Sequence, residues 1–366
     1  MTRLLVVHYA LSPGGATRVA IDDAKRLVRA GFDVGFASEP GEWSDQLKGT
    51  GVRMHRLSFQ DATRHPTALR YALGLPLTLV TLLTAVLRYR YDGLYLHHRQ
   101  SSLAVSAVAR LTGATYVFIA HVVFYGGKAI TSTGRHVLAV SESVRKNLVD
   151  HYGVEPGVIT VLPNAVDVNV VRPGADAIAA FDARWNIPGG ACVVACVALL
   201  IPQKAHEILL RAWVEVAAAC PEALLVLAGD GPLRAQLEQW CVANGIAGRV
   251  RFLGMVDEMA VVYARASLIV LSSDAEGMPM TLLEAASFGV GAVATAVAGV
   301  PEVIEDGKTG YLVPPRDPAR LAAALVSLVQ DRPALQRIGA AARARVVAAY
   351  SADVRAARLA EYLRPL

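Results

Sequence analysis

Short apolar runs alternate with helix-spaced stretches along the whole chain. Leu4–Tyr9, Asp33–Ser38, Val52–Leu57, Gly93–His97, Thr115–His121, His136–Val140 and Val158–Leu162 read as strands, apolar on both faces as parallel-sheet strands are. Between them, Thr17–Ala30, Leu69–Arg90 and Leu103–Thr112 carry helical spacing, and Gly31 and Gly113 stop the first and third. Leu47–Gly51 ends a short helix, and Ser141-Glu142-Ser143 caps one that runs to Tyr152. This alternation predicts a parallel, doubly wound sheet.

Pro163–Pro188 breaks the pattern. It is rich in Asp, Asn, Pro and Gly and reads as a linker. The alternation then restarts. Strands are expected at Cys192–Leu199, Ala223–Ala228, Val250–Leu253, Leu268–Leu271, Val290–Ala294 and Tyr311–Val313. Helices are expected at Ala205–Ala219, Pro232–Asn244, Ala260–Ala266, Asp317–Asp331 and Pro333–Ala349, with a last one from Tyr350 to Leu363. Pro301–Glu305 is a turn or short helix. Two Rossmann-like α/β halves follow, with no internal repeat and no low-complexity tract.

Composition narrows the class. At 366 residues, 54% hydrophobic and 18% charged, the chain is globular and long enough for two domains. The net charge of +5 is small for this length. No Lys/Arg block, zinc-finger pattern or RNA-recognition motif points to a nucleic acid. A basic face toward phosphate or anionic lipid stays open. Cys192 and Cys196 share one face of an apolar strand and read as small buried hydrophobes, since a metal pair would lack partner ligands. The N-terminal apolar run is a short strand and not a signal peptide, which places the protein in the cytoplasm. Leu73–Leu87 is strongly apolar but too short to span a bilayer, and Arg88 and Arg90 follow it. Two readings stand: a core helix, or an interfacial patch giving peripheral contact with the inner face of the membrane.

One loop stands out chemically. The run Leu268–Leu271 leads into Ser272-Ser-Asp-Ala-Glu276-Gly-Met-Pro279, and a helix pattern through Thr281, Leu282, Leu283, Ala285 and Ala286 leads out to Gly289. Pro279 suits a first helical turn, where a missing N–H costs nothing. Glu276 therefore stands at a helix mouth and Glu284 inside the helix. Exposed amides and the positive dipole end attract an anion. A carboxylate beside an anion site repels the anion and needs another task; accepting hydrogen bonds from hydroxyls is the obvious one. Phosphate together with hydroxyls suggests a sugar nucleotide. A paired-carboxylate hydrolase has no need of the anion site. No Gly-x-Gly-x-x-Gly follows a strand, which disfavours a dinucleotide oxidoreductase.

The chain resembles the retaining glycosyltransferases of family 4, which have the GT-B fold. The resemblance rests on Pro202-Gln203-Lys204, Gly229-Asp230-Gly231-Pro232, Phe252-Leu253-Gly254, Glu276-Gly277, Leu283-Glu284-Ala285, Gly299-Val300-Pro301-Glu302 and Asp306-Gly307-Lys308-Thr309-Gly310. Gly14-Gly15, His121, Val140-Ser141-Glu142 and Pro163-Asn164-Ala165-Val166-Asp167 extend it more loosely into the first half. It implies two Rossmann-like domains facing a cleft: residues 1–168 for the acceptor, 169–349 for the sugar nucleotide, and a helix in 350–366 returning to the first domain.

Roles follow by the same resemblance. Glu276 contacts the donor sugar, Glu284 holds the ribose hydroxyls, and Lys204 neutralises the leaving diphosphate. Gly14 and Gly15 meet the donor phosphates across the cleft, and His121 contacts the donor sugar or the reacting oxygens. Gly277, Met278 and Pro279 line the donor site, and Val256 belongs to the loop that lodges the base. His97, His98 and Arg99 lie on the acceptor side, while Asn164 and Asp167 are hinge structure. No Asp-x-Asp occurs, so no metal or other cofactor is expected, with a UDP- or GDP-sugar as co-substrate. One departure matters. The family places an arginine five residues before the lysine, where this chain has Leu199. Lys204 then works alone, or with Arg211, Lys128 or Arg18, or the donor site is weakened and the protein serves as a partner or regulatory subunit. A nucleotide-sugar epimerase on the same fold is the other alternative.

Overall fold

The computed structural model describes residues 1–57, 68–124, 126–128 and 131–365, the side chains of 68–73 excepted. Contacts divide the chain into two units, Met1–Asn164 with Asp353–Leu366, and Ala165–Ala352.

The first unit runs β1 (Arg3–Ala10), α1 (Gly15–Arg29), β2 (Asp33–Glu39), β3 (Arg53–Arg56), α2 (Ala68–Tyr89), β4 (Gly93–Leu96), α3 (Ser102–Thr112), β5 (Thr115–Ala120), β6 (His136–Ala139), α4 (Glu142–Tyr152) and β7 (Ile159–Val161). Among the described residues its seven strands lie in the order β3-β2-β1-β4-β5-β6-β7. Every neighbouring pair is parallel. The apolar runs explain this: Leu4 to Val7 on β1 and Leu94 to Leu96 on β4 are fully buried, as strands covered on both faces must be.

The second unit runs α5 (Ala175–Trp185), β8 (Cys192–Val197), α6 (His206–Ala219), β9 (Ala223–Ala228), α7 (Arg234–Ala243), β10 (Val250–Gly254), α8 (Met259–Arg265), β11 (Leu268–Leu271), α9 (Met280–Ser287), β12 (Ala292–Thr295), α10 (Val300–Val303), β13 (Gly310–Val313), α11 (Pro318–Gln330) and α12 (Arg332–Ala349). Six parallel strands lie in the order β10-β9-β8-β11-β12-β13. Counted within the unit this is the 3-2-1-4-5-6 winding of a dinucleotide-type fold. Trp213, Leu209, Leu225 and Leu325 fill its core, and Cys192 and Cys196 sit buried there as free thiols.

α13 (Ala352–Leu363) returns the chain to the first unit. Arg355, 7% exposed, anchors it. Its guanidinium donates to both oxygens of Asp23 on α1, at 3.0 and 2.8 Å, and to the carbonyls of Leu162 and Pro163. Tyr95 on β4 donates to Asp23 at 3.0 Å. A buried charge pair persists only when its remaining hydrogen-bond sites are filled, and here the surrounding groups fill most of them.

The structure corrects three expectations. Pro163–Pro188 is not a plain linker, because α5 lies inside it. The Pro and Gly flanks outweighed an alanine-rich interior with good helix propensity. Phe181 is buried, and Asp182 takes Arg265 of α8 at 2.8 and 2.9 Å. The segment before Gly51 forms a 3-10 turn at Ser44–Leu47 in place of a helix end near Gly51. Pro279 caps α9 from extended backbone, ψ 119°, and does not open its first turn.

Candidate functional site

In an open parallel sheet, ligands bind beyond the carboxyl ends of the strands, where strand order reverses. In the second unit that point is between β8 and β11, whose connections lead to β9 on one side and β12 on the other. The segment after β8 carries Lys204, and the segment after β11 carries Glu276.

The two side chains meet there. Lys204 Nζ lies 2.6 Å from Glu276 Oε1. Ser273 Oγ donates to the same oxygen at 2.6 Å. Glu276 is 6% exposed, and its contacts with Lys204 and Ser273 both fall on Oε1. Oε2 therefore keeps acceptor capacity for a hydroxyl.

Backbone ties hold the two loops in register. Ser272 Oγ donates to the carbonyls of Lys204 and Ala205, and Gln203 Nε2 to that of Ala275 at 2.8 Å. Asp274 N donates to Gln203 O at 2.9 Å, and Thr281 Oγ1 to Val197 O at 3.0 Å. Ala205 adopts φ 46°, the left-handed region, turning the chain from Lys204 into α6. No side chain caps α9, so its first-turn amides lack a side-chain acceptor at the cap. Gly277, Met278 and Pro279 are buried between Glu276 and that helix.

An uncharged floor underlies the pair. Cys196 Sγ and His206 Nε2 are 3.8 Å apart. Burial pushes the Cys196 thiol up to about 12. Burial, then the Lys204 charge, lowers His206 to about 4. Low polarity behind Lys204 strengthens any interaction of its ammonium with an anion in front.

Glu284, half-buried on α9, accepts from Tyr263 OH at 2.5 Å. Tyr263→Phe is expected to cost about 1–2 kcal/mol of stability, the worth of a hydrogen bond to a carboxyl group. Urea unfolding read by the tryptophans at 185, 213 and 240, all in the second unit, checks it; an unmoved midpoint would make the contact incidental. Val256 is half-buried in the loop between β10 and α8. At Gly229 a Cβ would sit 2.0 Å from Ala198 O, so glycine lets this loop press against the segment after β8. Leu199, in that segment, is 38% exposed. Arg211 pairs with Glu207 at 2.6 Å, and Arg18 lies over the Trp43 ring.

In the first unit the order reverses between β1 and β4. Histidines gather at these strand ends: His8 on β1, His97 and His98 after β4, His121 after β5. His97 Nδ1 is 3.1 Å from His121 Nε2, with the rings stacked, and His8 Nε2 is 3.0 Å from Thr17 Oγ1. Burial holds all four far toward the neutral form, His8 to about 3 and His98 to about 4, with His97 and His121 also well below the usual range. Arg99 is spent on Gly126 O and Tyr152 OH and lies over Phe124. At Gly14 the backbone is extended, φ 169°, and a Cβ would meet only Thr17 Oγ1 at 3.8 Å, so packing within the unit does not demand glycine there. Gly15 begins α1. The boundary between the units follows Asn164, and Asp167 accepts from Asn169 N at 2.9 Å.

Sequence reasoning missed Ser273, His206 and Tyr263. Ser273 lies within the Ser272–Pro279 loop, but nothing in the chain announces that its hydroxyl shares Glu276 Oε1 with Lys204. Tyr263 is distant in sequence and reads as an ordinary helix residue.

Comparison with known proteins is consistent across the chain. Residues 191–331 match the family described as Glycosyl transferases group 1, and residues 13–170 match Glycosyltransferase Family 4. The chain is 30% identical over 276 residues to a GDP-mannose-dependent alpha-(1-6)-phosphatidylinositol monomannoside mannosyltransferase of Mycobacterium tuberculosis, covering 70% of this chain and 71% of that one. It is 30% identical over 295 residues to a D-inositol 3-phosphate glycosyltransferase of Streptomyces bingchenggensis, covering 76% of this chain and 64% of that one. The Anabaena protein HepE, solved with UDP and glucose, superposes over 100% of both chains with a TM-score of 0.87 at 21% identity. That likeness shows the GT-B fold.

Proposed function

The chain belongs to glycosyltransferase family 4, and on that premise we propose that it moves a sugar from a UDP- or GDP-sugar to a hydroxyl acceptor with retained configuration and no metal ion. The observation that carries this reading is the Lys204–Glu276 contact at the strand-order reversal. It sets side by side the cation and the hydroxyl acceptor that a diphosphate sugar needs.

Lys204 faces the diphosphate, whose negative charge grows as the glycosidic bond breaks, and the uncapped amides of α9 share that charge. Glu276 Oε2 accepts from a sugar hydroxyl. Glu284, oriented by Tyr263, takes the ribose hydroxyls. Gly277, Met278 and Pro279 lie along the diphosphate, and the loop with Val256 lodges the base. The departing phosphate oxygen takes the proton of the incoming hydroxyl on the same face, so no carboxylate nucleophile is required. In the first unit, Gly14 and Gly15 offer amides to phosphate, and His97 and His98 serve the acceptor. Arg99 acts through position, since its guanidinium is already bonded. His121, neutral at pH 7, brings a hydrogen bond and no charge.

Leu199 favours one second reading, a donor site too weak for turnover in a partner or regulatory subunit. Arg211, one candidate to replace the missing guanidinium, pairs with Glu207 on the surface. Calorimetry with UDP-, GDP- and ADP-sugars, then NMR of the product formed in EDTA, decides between them. One donor should saturate, and the product should keep the donor's anomeric form. Absence of sugar-nucleotide binding supports the second reading; an inverted product or loss of transfer in EDTA removes the corresponding part of the first. Donor conversion without acceptor would make it an epimerase.

A further inference from the structure

The histidines at the strand ends of the first unit are not equivalent. His97 is 2% exposed, while His121 is only partly covered. The backbone N–H of His97 donates to Val7 O at 2.9 Å, which continues the pairing of β4 with β1. Its ring packs against the Tyr95 ring, centres 4.3 Å apart, and stands perpendicular to His8 at 6.3 Å. His97 is thus a fixed ring behind a more accessible one. It lies too deep to touch a substrate, so what it gives the acceptor it gives through a neighbour.

That neighbour is His121. His97 Nδ1 and His121 Nε2 lie 3.1 Å apart, and the ring planes differ by only 22°, which lets one hydrogen lie between the two nitrogens near the plane of each ring. The other two nitrogens, His97 Nε2 and His121 Nδ1, are buried with no partner among the described residues. Burial keeps both rings neutral, so each holds a single hydrogen. Two lone pairs facing each other would repel, and two N–H groups would collide. One hydrogen therefore sits between the rings, and two arrangements meet that count. If His97 donates, both rings are Nδ1–H, and His121 keeps a donor at Nδ1. If His121 donates, both rings are Nε2–H, and His121 keeps a bare acceptor at Nδ1. Either way the two tautomers are the same. The ring of His121 cannot turn over without losing the contact, and the character of its remaining nitrogen is set from behind.

We propose that His97 is a positioning residue for sugar transfer, holding His121 in one tautomer and one ring orientation. This rests on the reading of His121 as a group that meets the donor sugar or the reacting oxygens. The test is long-range proton–nitrogen NMR of the full chain carrying isotope-labelled histidine, with the two rings assigned from His97→Asn and His121→Asn. Both rings should show one and the same tautomer. His97→Phe keeps a ring in place and removes the hydrogen bond. It should lower kcat by about tenfold to a hundredfold, the scale of a displaced reacting group, and leave His121 as a mixture of tautomers. His97→Asn sets an amide where Nδ1 stood and should restore most of the rate and a single tautomer. Unequal tautomers in the unaltered chain overturn the inference, and that measurement stands even where His97→Phe does not fold. So does full turnover in a folded His97→Phe. Full transfer by His121→Ala would remove the reading of His121, and this inference with it, whereas unequal tautomers remove the inference alone.

Discussion

Glu276→Gln is expected to lower kcat/KM for sugar transfer by about a thousandfold, the loss typical when one preorganised polar group leaves an active site. The amide keeps the shape but lacks the negative charge that fixes Lys204 at 2.6 Å. Lys204 is then free to take other positions, and Oε2 is replaced by a group that donates as well as accepts. The substitution also affects stability. The carboxylate is buried against a cation whose side chain is 21% exposed, so the pair is not two solvated charges. Glu276→Ala leaves that ammonium facing an uncharged wall. A cost of about 1–2 kcal/mol is expected, below the value for a fully buried pair because Lys204 keeps some water. Steady-state kinetics with the donor found by calorimetry measures the first effect, and chemical unfolding the second. A Glu276→Ala, Lys204→Met double variant separates them: it should recover stability and not activity. Near-normal turnover in Glu276→Gln would remove Glu276 from the chemistry.

Acid should unfold the first unit before the second. His8, His97, His98 and His121 are all held below their usual 6.5, so the native unit binds fewer protons than the unfolded chain as pH falls past that value. Stability is therefore complete above about pH 7 and declines as pH drops toward the folded values. Each group held neutral in this way adds up to about 1.4 kcal/mol per pH unit to the loss, so the loss accumulates in the first unit. The second unit has one comparable group, His206. Hydrogen exchange at pH 7 and pH 5 measures both units in one sample. Protection on β1, β4 and β5 should collapse while that on β8 and β11 persists. Equal protection at both pH values would show that the histidines are charged in the folded unit.

The layout was legible because a parallel sheet writes itself as apolar runs between helical spacing, and its carboxyl-end loops collect glycine, proline and charge. Lys204 and Glu276 could be singled out as residues. Their direct contact could not, since it depends on β8 pairing with β11, a register no local pattern states. The same holds for Asp23 and Arg355, hundreds of positions apart. α5 was lost for the opposite reason: local signals conflicted, and the flanks were weighted over the interior. The histidines after β4 and β5 stand out one by one in the sequence, but their joint neutrality with His8 follows only from being packed together.

Arg355 also bears on the order in which this protein can be made. A ribosome releases Asp23 early and Arg355 only after the whole of Ala165–Ala352. Until then Asp23 has the Tyr95 hydroxyl but no counter-ion, and α1 lacks the helix that covers it. The second unit can be complete while the first still waits for its final helix. Maturation of the nascent chain thus runs against the order of its sequence, and turns synthesised after the second unit close the part begun first.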